Sequence, residues 1–212
     1  RVTGQKIVIL LDRSASMTAR NLVDILRYKS GPAAARHKAT KWVNAQKAVW
    51  WMVTRAPANA RVQIASFSDS TDFHTTGWVT AQDSVSLTTV KDTMAELVPE
   101  GSTNLEAAVS AALKTGADSI YIITDGLPTS APGGNTLFGL DGCGSKLSKR
   151  KQVTGKCRIS LFQRTVTATI GKKARISVVL MPLEGDPYAA PLFSKWALSR
   201  GGVLLSAAKD WP

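Results

Sequence analysis

Residues 6–16, with the sequence KIVILLDRSAS, pass from a continuous apolar segment into a polar turn. An apolar segment of this length, without alternating polar residues, is typical of a β-strand that is buried on both faces of a sheet. Asp12, Ser14 and Ser16 follow at alternating positions, so a carboxylate and two hydroxyls lie on one turn. The first predicted strand therefore ends in a group of oxygen-bearing side chains.

Further short apolar segments recur along the chain, and helix-compatible stretches separate them. The predicted strands cover residues 6–11, 61–67, 119–124, 175–181 and 203–206. The predicted helices cover residues 39–55, 83–97, 104–114, 160–170 and 190–199. Alternation of buried strands with helices is typical of βαβ crossovers in a parallel sheet. We predict an α/β fold, with residues 75–79 as a short antiparallel edge strand.

The length and composition fit one folded domain. A chain of 212 residues with 44% hydrophobic and 20% charged residues is not a disordered chain, a collagen-like repeat or a coiled coil. Residues 1–212 are predicted to form a single domain with insertions at about residues 18–38 and 128–156, and residues 21–28 are predicted to form a short helix. No apolar segment approaches the roughly 20 residues that cross a bilayer. The sequence starts at Arg1, which is compatible with an upstream signal peptide or anchor.

Polar residues at two other element boundaries belong to the edge of the sheet where Asp12 lies. Thr103 precedes the predicted helix at residues 104–114, and Asp125 follows the predicted strand at residues 119–124. Loops that leave the carboxyl ends of parallel strands meet at one edge, so we expect these side chains to converge. Hard divalent cations, above all Mg²⁺ and also Mn²⁺ or Ca²⁺, prefer such oxygen ligands. A metal site is favoured, although each residue alone also fits a helix cap or a turn.

The complete set resembles the metal-ion-dependent adhesion site of von Willebrand factor type A domains. Its members, in the order found in that family, are Asp12, Ser14, Ser16, Thr103 and Asp125. The contexts ILLDRSAS and YIITDG are specific to the family, and the resemblance extends over nearly the whole chain. It implies a doubly wound, mostly parallel six-stranded sheet of order 3-2-1-4-5-6 with helices on both faces. It also implies a metal-dependent protein-binding or adhesion module in which an acidic residue of the partner completes the coordination of the ion.

The chain departs from the family pattern after its last predicted strand, which only residues 207–212 follow. Family members usually have a helix there, and in some of them its displacement is coupled to the metal site. We therefore do not expect a switch driven by such a helix. The two insertions also exceed the family pattern, so the resemblance does not identify the partner.

The net charge of +12 is unevenly distributed. Residues 13–61 contain ten basic and one acidic residue, and residues 145–175 contain ten basic and no acidic residues. Because both insertions follow strand ends, we expect their basic side chains to surround the metal site and to favour a partner with an anionic surface. This predicted rim consists of Arg20, Arg27, Arg36, Lys146, Lys149, Arg150 and Lys151. The alternative is that these charges only keep the protein soluble.

Two other function classes stay open. The basic segment at residues 146–156 suits the phosphates of nucleic acid or another polyanion, although no aromatic residues are interleaved with it. A Mg²⁺-dependent hydrolase or phosphotransferase would use Asp12 as a nucleophile or the ion to activate water. The sequence has no phosphate-binding loop, zinc-protease motif or serine-nucleophile motif. We therefore expect a binding protein rather than an enzyme.

Cys143 and Cys157 are the two cysteines of the chain, and they bracket the second insertion. A disulfide between them would stabilise a glycine-rich segment, and it would indicate an oxidising compartment such as a periplasm or cell surface. Two free thiols in a cytosolic protein are the alternative. We favour the disulfide and an extracytoplasmic location.

Overall fold

The structure, a computed structural model, describes residues 2–132, 143, 153–208 and 211. Its strands are β1 (Lys6–Asp12), β2 (Arg61–Phe67), β3 (Thr71–Phe73), β4 (Val79–Thr80), β5 (Ser119–Thr124), β6 (Arg175–Leu180) and β7 (Leu204–Ser206). They pair in the order β3-β2-β1-β5-β6-β7, and β4 also pairs with β2. The strands from β2 to β7 in this order are parallel, whereas β3 and β4 are antiparallel to β2. The predicted mostly parallel order is confirmed, and the described sheet has seven strands because its edge is divided in two.

Helices pack on both faces of this sheet. They are α1 (Leu22–Ser30), α2 (Ala33–His37), α3 (Thr40–Val53), α4 (Ser84–Ala95), α5 (Leu105–Lys114), α6 (Gly155–Ala168) and α7 (Ala189–Ser199). Successive strand residues point to opposite faces. Ile9 of β1 therefore shares an apolar core with Trp42 of α3, while Leu10 shares a second core with Leu105 of α5 and Phe193 of α7. None of the described helices is long and apolar enough to cross a membrane.

The register of the central strands brings the ends of β1 and β5 to the same level. Leu11 of β1 pairs with Ile123 of β5, and Asp12 pairs with Phe67 of β2. Because these strands are parallel, Thr124 and the loop that follows it leave the sheet beside Asp12. The carboxyl edge of the sheet is therefore where polar side chains from several loops meet.

The predicted short antiparallel edge is confirmed, but its predicted position at residues 75–79 is wrong. The ladder between β3 and β2 ends with a hydrogen bond from the backbone N–H of His74 to the carbonyl of Ile64 (2.8 Å). The Thr75 hydroxyl then accepts from the Ile64 N–H (3.4 Å), and it takes the place of a backbone carbonyl. Gly77 follows with φ of 74°, which an extended strand does not adopt. The chain thus leaves the sheet between β3 and β4.

The first insertion is mostly helical. Asn21 caps α1 by accepting a hydrogen bond from the backbone N–H of Asp24 (2.9 Å), so the predicted short helix is present and continues to Ser30. The second helix, α2, was not predicted because Gly31 and Pro32 indicated a loop. A proline next to a helix start is compatible with the helix, since the first turn does not need its N–H.

The described part of the second insertion is tied to α6. This helix begins at Gly155, whereas the prediction started it at residue 160. The Thr154 hydroxyl caps it by accepting from the backbone N–H of Cys157 (3.1 Å). Cys157 lies in the first turn of α6 and forms a disulfide with Cys143. The remainder of this insertion, residues 133–142 and 144–152, lies outside the described residues.

Candidate metal centre

The turn after β1 is organised by the Asp12 carboxylate. Asp12 is fully buried, and its Oδ1 accepts a hydrogen bond from the backbone N–H of Ser14 (2.8 Å). This bond between neighbouring residues stabilises the turn, as aspartates commonly do. Ser14 precedes a 3-10 turn at Ala15–Thr18, but its hydroxyl does not cap it. The Ser14 Oγ instead lies 3.2 Å from the Oγ of Ser16, so the cap interpretation does not hold for Ser14.

Two hydrogen bonds join the end of β1 to the end of β5. The Ser16 hydroxyl donates to Asp125 Oδ1 (3.0 Å), and the Thr124 hydroxyl donates to Asp12 Oδ2 (2.6 Å). The structure therefore brings Asp12, Ser14, Ser16 and Asp125 into one hydrogen-bonded group. Thr124 was not predicted as a member, and its place beside Asp125 at the end of a buried strand was the available signal.

The segment before Thr103 contacts this edge through the backbone of Gly101. The Ala15 N–H donates to the carbonyl of Gly101 (3.2 Å), which ties the segment before Thr103 to the turn after β1. Thr103 itself is buried. Asn104 caps α5, because its Oδ1 accepts from the backbone N–H of Ala107 (3.1 Å). The cap interpretation considered for Thr103 is therefore wrong, and its hydroxyl makes no hydrogen bond to another described residue.

Asp12 has no cationic partner in the described part of the chain. Burial and, to a smaller extent, the nearby charge of Asp125 raise the pKa of its carboxyl group from 3.8 to about 7. Hydrogen bonds from Thr124 and Ser14 lower the pKa and only partly offset this effect. Both donors are neutral, and no described ion pair includes Asp12. A nearby cation would remove the cost of burying this charge.

Asp125, in contrast, has a cationic partner that the sequence did not reveal. The Nζ of Lys41, the second residue of α3, donates to Asp125 Oδ2 at 2.6 Å. The two side chains are 5% and 3% exposed. Lys41 also donates to the carbonyls of Ser16 (3.0 Å) and Ala19 (2.7 Å). One signal was present: a lysine in the first turn of a helix is unfavourable for the helix dipole, so a nearby carboxylate is expected.

The donor set fits a hard divalent ion. It offers carboxylate and hydroxyl oxygens, which Mg²⁺, Mn²⁺ and Ca²⁺ accept and which soft metals do not prefer. No cluster of three or more His, Cys, Asp and Glu residues suited to a metal occurs in the described part of the chain. A metal site at this edge would therefore depend on serine and threonine hydroxyls, with Asp12 as the carboxylate that has no described cationic partner.

The loop after Asp125 is held from its far side by Asp186. The Oδ2 of Asp186 accepts from the backbone N–H of Leu127 (2.8 Å) and pairs with the guanidinium of Arg158 (2.7 Å). Arg158 also donates to the carbonyl of Leu127 (2.7 Å). A Cβ atom at Gly126 would lie 2.7 Å from this Asp186 oxygen, so the close approach requires glycine. Neither Asp186 nor Arg158 was predicted, because both lie far from Asp125 in sequence.

The predicted basic rim is described only in part. Arg27 is exposed and pairs with Asp24 (3.0 Å), and Arg36 pairs with Glu100 (3.8 Å). Arg20 is half-buried. The other predicted rim residues, Lys146, Lys149, Arg150 and Lys151, lie outside the described residues.

A groove of about 660 Å³ opens beside the centre. Its lining includes Arg20, Tyr28 and Asn44, together with Lys41 and Met181. Helix α1, which forms one side of the groove, exposes apolar side chains on its outer surface. They are Leu22, Val23 and Leu26. The surface next to the carboxyl edge thus combines basic and apolar side chains.

Sequence comparison relates this arrangement to a known family. The chain matches the family model of the von Willebrand factor type A domain over residues 7–127. This range extends from the second residue of β1 through β5, and it includes all five predicted metal ligands, from Asp12 to Asp125. A comparison with curated protein sequences gives no match.

Solved structures with the same fold share little sequence with this chain. A von Willebrand factor type A protein from Catenulispora acidiphila has a TM-score of 0.60 and 14% identity, and the match covers 98% of this chain and 39% of that one. The PilB minor pilin from Streptococcus sanguinis has a TM-score of 0.60 and 13% identity, with coverages of 96% and 57%. The type V pili tip protein Mfa5 from Porphyromonas gingivalis has a TM-score of 0.59 and 12% identity, with coverages of 96% and 47%. The chain thus spans less than two thirds of the length of these proteins.

Proposed function

This chain belongs to the von Willebrand factor type A domain family, and from this membership we propose that it is a metal-dependent protein-binding module. A divalent ion, Mg²⁺ above all, is held at the carboxyl edge of the sheet. An acidic residue of a partner protein completes its coordination. The observation that carries the proposal is the buried carboxylate of Asp12, which is hydrogen-bonded to Ser14 and Thr124 but has no described cationic partner.

The proposed ligands divide into charged and neutral groups. Asp12 and Asp125 each supply a carboxylate oxygen, directly or through water. Asp125 is hydrogen-bonded to the Ser16 hydroxyl. Three hydroxyls, those of Ser14, Ser16 and Thr103, bind directly or exchange with water. Neutral hydroxyls transfer little negative charge, so a bound divalent ion keeps an affinity for an anionic oxygen from outside.

The surroundings favour a protein as the source of this oxygen. The exposed apolar residues of α1 and the adjacent groove are suited to side chains of a folded partner. Arg20, which lines this groove, and the basic rim predicted from the sequence would favour an anionic partner surface. Among the solved structures with this fold are a minor pilin and a pilus tip protein, and their names support a role in protein assembly or adhesion.

Thermal unfolding in the presence of ions tests the metal assignment. After EDTA treatment and dialysis, Mg²⁺, Mn²⁺ or Ca²⁺ should raise the melting temperature of the wild-type protein, because a ligand that binds only the folded state stabilises it. Asp12→Asn should abolish this response. Asp92→Asn, at an exposed aspartate of α4, is the matched control and should respond like the wild type. Equal responses of Asp12→Asn and the wild type would overturn the assignment.

Binding to a partner tests the second half of the proposal. A protein captured with Mg²⁺ present should be lost in EDTA, and it should not bind Asp12→Asn. Replacement of one acidic residue on that partner should have the same effect as EDTA. Binding that persists in EDTA, falls steeply with salt and extends to nucleic acid would instead favour the polyanion function that the net charge of +12 suggests.

Among the described residues, a serine and a histidine outside the metal centre have a geometry that an enzymatic site could use. The Nε2 of His74 lies 2.9 Å from the Oγ of Ser66, which resembles a nucleophile and its base. Ser66 is fully buried, so a substrate does not reach its hydroxyl. The burial of Ser66 therefore argues against this pair as a hydrolytic site.

A further inference from the structure

The Lys41 ammonium is a fixed part of the carboxyl edge. A lysine ammonium has three N–H donors, and all three have acceptors within 3.0 Å. They are Asp125 Oδ2, the Ser16 carbonyl and the Ala19 carbonyl. The side chain is 5% exposed, and it is anchored in the first turn of α3, whose face packs in the core. The positive charge therefore stays beside Asp125.

We propose that Lys41 sets the charge of the metal centre, so that the bound ion requires an anionic partner. This inference rests on the proposed function. Asp125 Oδ2 is occupied by Lys41 and its Oδ1 accepts from Ser16, so Asp125 acts mainly through these neighbours rather than as a free carboxylate. Lys41 is thus a specificity-determining residue that acts on the ion through Asp125.

The charge balance gives the physical reason. Asp12 and Asp125 carry two negative charges, and Lys41 cancels one of them. A divalent ion then leaves one positive charge at the edge, which a single carboxylate from a partner neutralises. Without Lys41, Asp12 and Asp125 would already neutralise the charge of the ion. The electrostatic attraction between the ion and an incoming carboxylate would then be weaker. Electrostatic interactions of this kind are strong at a buried site, where the effective dielectric constant is low.

The helix position of Lys41 is consistent with this role. A positive charge in the first turn of α3 is unfavourable for that helix because its N-terminus is already positive. The Lys41 ammonium does not stabilise α3, and its contacts are with Asp125 and with the turn that carries Ser16. An uncharged residue would suit α3 better, so the charge acts on the metal edge.

Substitutions that change the charge of the centre in opposite directions test the proposal. Lys41→Met removes one positive charge from the centre and with it the repulsion between the ammonium and the metal ion. It should therefore tighten Mn²⁺ binding about tenfold, as measured by calorimetry. Asp125→Asn removes a negative charge and should weaken Mn²⁺ binding about tenfold. Lys47→Met, at an exposed lysine of the same helix, is the control and should bind like the wild type. A merely structural role predicts the opposite result for Lys41→Met, namely weaker binding, because the turn loses its anchor.

Acetate serves as the carboxylate probe. On the Mn²⁺-loaded protein, acetate should bind about tenfold more weakly to Lys41→Met than to the wild type, as measured by the relaxation of Mn²⁺-bound water. Tighter Mn²⁺ binding together with unchanged acetate binding would overturn the inference. Unchanged or weaker Mn²⁺ binding by folded Lys41→Met would also overturn it.

A double substitution keeps the test decisive if Lys41→Met does not fold. Lys41→Met/Asp125→Asn removes the pair together and has the net charge of the wild-type centre, so it should bind Mn²⁺ about tenfold more tightly than Asp125→Asn alone. Equal binding by these two variants would overturn the inference. If the wild type itself does not bind Mn²⁺, the proposed function fails and the inference fails with it. If the wild type binds and the variants do not follow charge, only the inference fails.

Discussion

The ends of β1 and β5 place two aspartates at the same edge of the sheet, yet their charges are balanced differently. Asp12 is fully buried, and its oxygens accept hydrogen bonds from the Ser14 N–H and the Thr124 hydroxyl, which are neutral. Asp125 is buried to a similar extent, but it pairs with Lys41 at 2.6 Å. The same residue type at the same depth therefore has a counter-charge on one strand and none described on the other.

This difference in charge compensation bears on the role of each strand end. A buried charge is costly unless an opposite charge and hydrogen bonds compensate it. At the end of β5, the chain supplies that compensation itself through Lys41. At the end of β1, Asp12 has hydrogen bonds only, which fits our proposal that the missing charge arrives as a metal ion.

Breaking the compensated pair should have the largest effect on stability. Lys41→Met leaves Asp125 buried without its cation and should lower the free energy of unfolding by about 3–5 kcal/mol in EDTA. Asp125→Asn should have a loss of similar size. Lys41→Met/Asp125→Asn should lose less free energy of unfolding than the two single substitutions added together, because it leaves no charge of this pair without its partner. Urea unfolding measures all three variants, and strictly additive losses would contradict the coupling.

The uncompensated carboxylate should behave in the opposite way. Its pKa is raised from 3.8 to about 7, so the folded state binds this proton more tightly than the unfolded chain. The associated stability is present below about pH 3.8 and is lost as pH rises through about 7. In EDTA at pH 8, Asp12→Asn should therefore be more stable than the wild type, by about 2–4 kcal/mol. The difference should vanish near pH 4, and a pH-independent difference in urea unfolding would contradict this assignment.

The hydrogen bond between the two strand ends should contribute less. Ser16→Ala removes the donor to Asp125 Oδ1 and should cost about 1 kcal/mol of stability. It should also weaken Mn²⁺ binding, since Ser16 is a proposed ligand. Ser30→Ala removes an exposed hydroxyl that donates to the Leu26 carbonyl at the end of α1, and it is the control for both measurements. Mn²⁺ binding that is equal in these two variants would remove Ser16 from the proposed ligand set.

Charge reversal at the predicted rim should change stability least and separate the rim from the centre. Reversal of Lys149, Arg150 and Lys151 to Glu should slow association with an identified partner, most strongly at low salt, because exposed charges are screened beyond about 8 Å at physiological ionic strength. Thr103→Ala should instead accelerate dissociation at every salt concentration, since it changes a proposed ligand. Surface plasmon resonance measures both rates. An unchanged association rate for the triple reversal would assign these residues to solubility alone.

Much of the fold was predictable because the strands have local signals. The predicted bounds of β2 and β5, Arg61–Phe67 and Ser119–Thr124, match the structure because each is a continuous apolar segment with polar ends. The edge strand was predicted in the wrong place, since Thr75 leaves the ladder through its side chain and Gly77 bends the backbone. Short edge strands have few apolar residues, so their limits depend on contacts that a pattern does not contain.

The candidate ligands were also predictable, but the differences among them were not. Asp12, Ser14 and Ser16 are close in sequence, and parallel strands bring Asp125 to the same edge by topology alone. In the sequence, Asp12 and Asp125 cannot be distinguished, because each is an aspartate at the end of a predicted strand. Their different balance of charge became visible only when the partners of each oxygen were known.

The amino-acid sequence by itself determined the buried strands, their parallel arrangement and the oxygen-bearing turns, because these follow from hydrophobic pattern and short-range spacing. Tertiary structure alone decided that Lys41 pairs with Asp125, which lies 84 residues away. The local pattern marks Lys41 only as an unfavourable charge at a helix start and does not identify Asp125, since the pair forms only when α3 packs on the sheet and its first turn meets the end of β5. The charge of the centre is therefore set by packing, because electrostatic interactions depend on distance in space and on burial rather than on position in the chain.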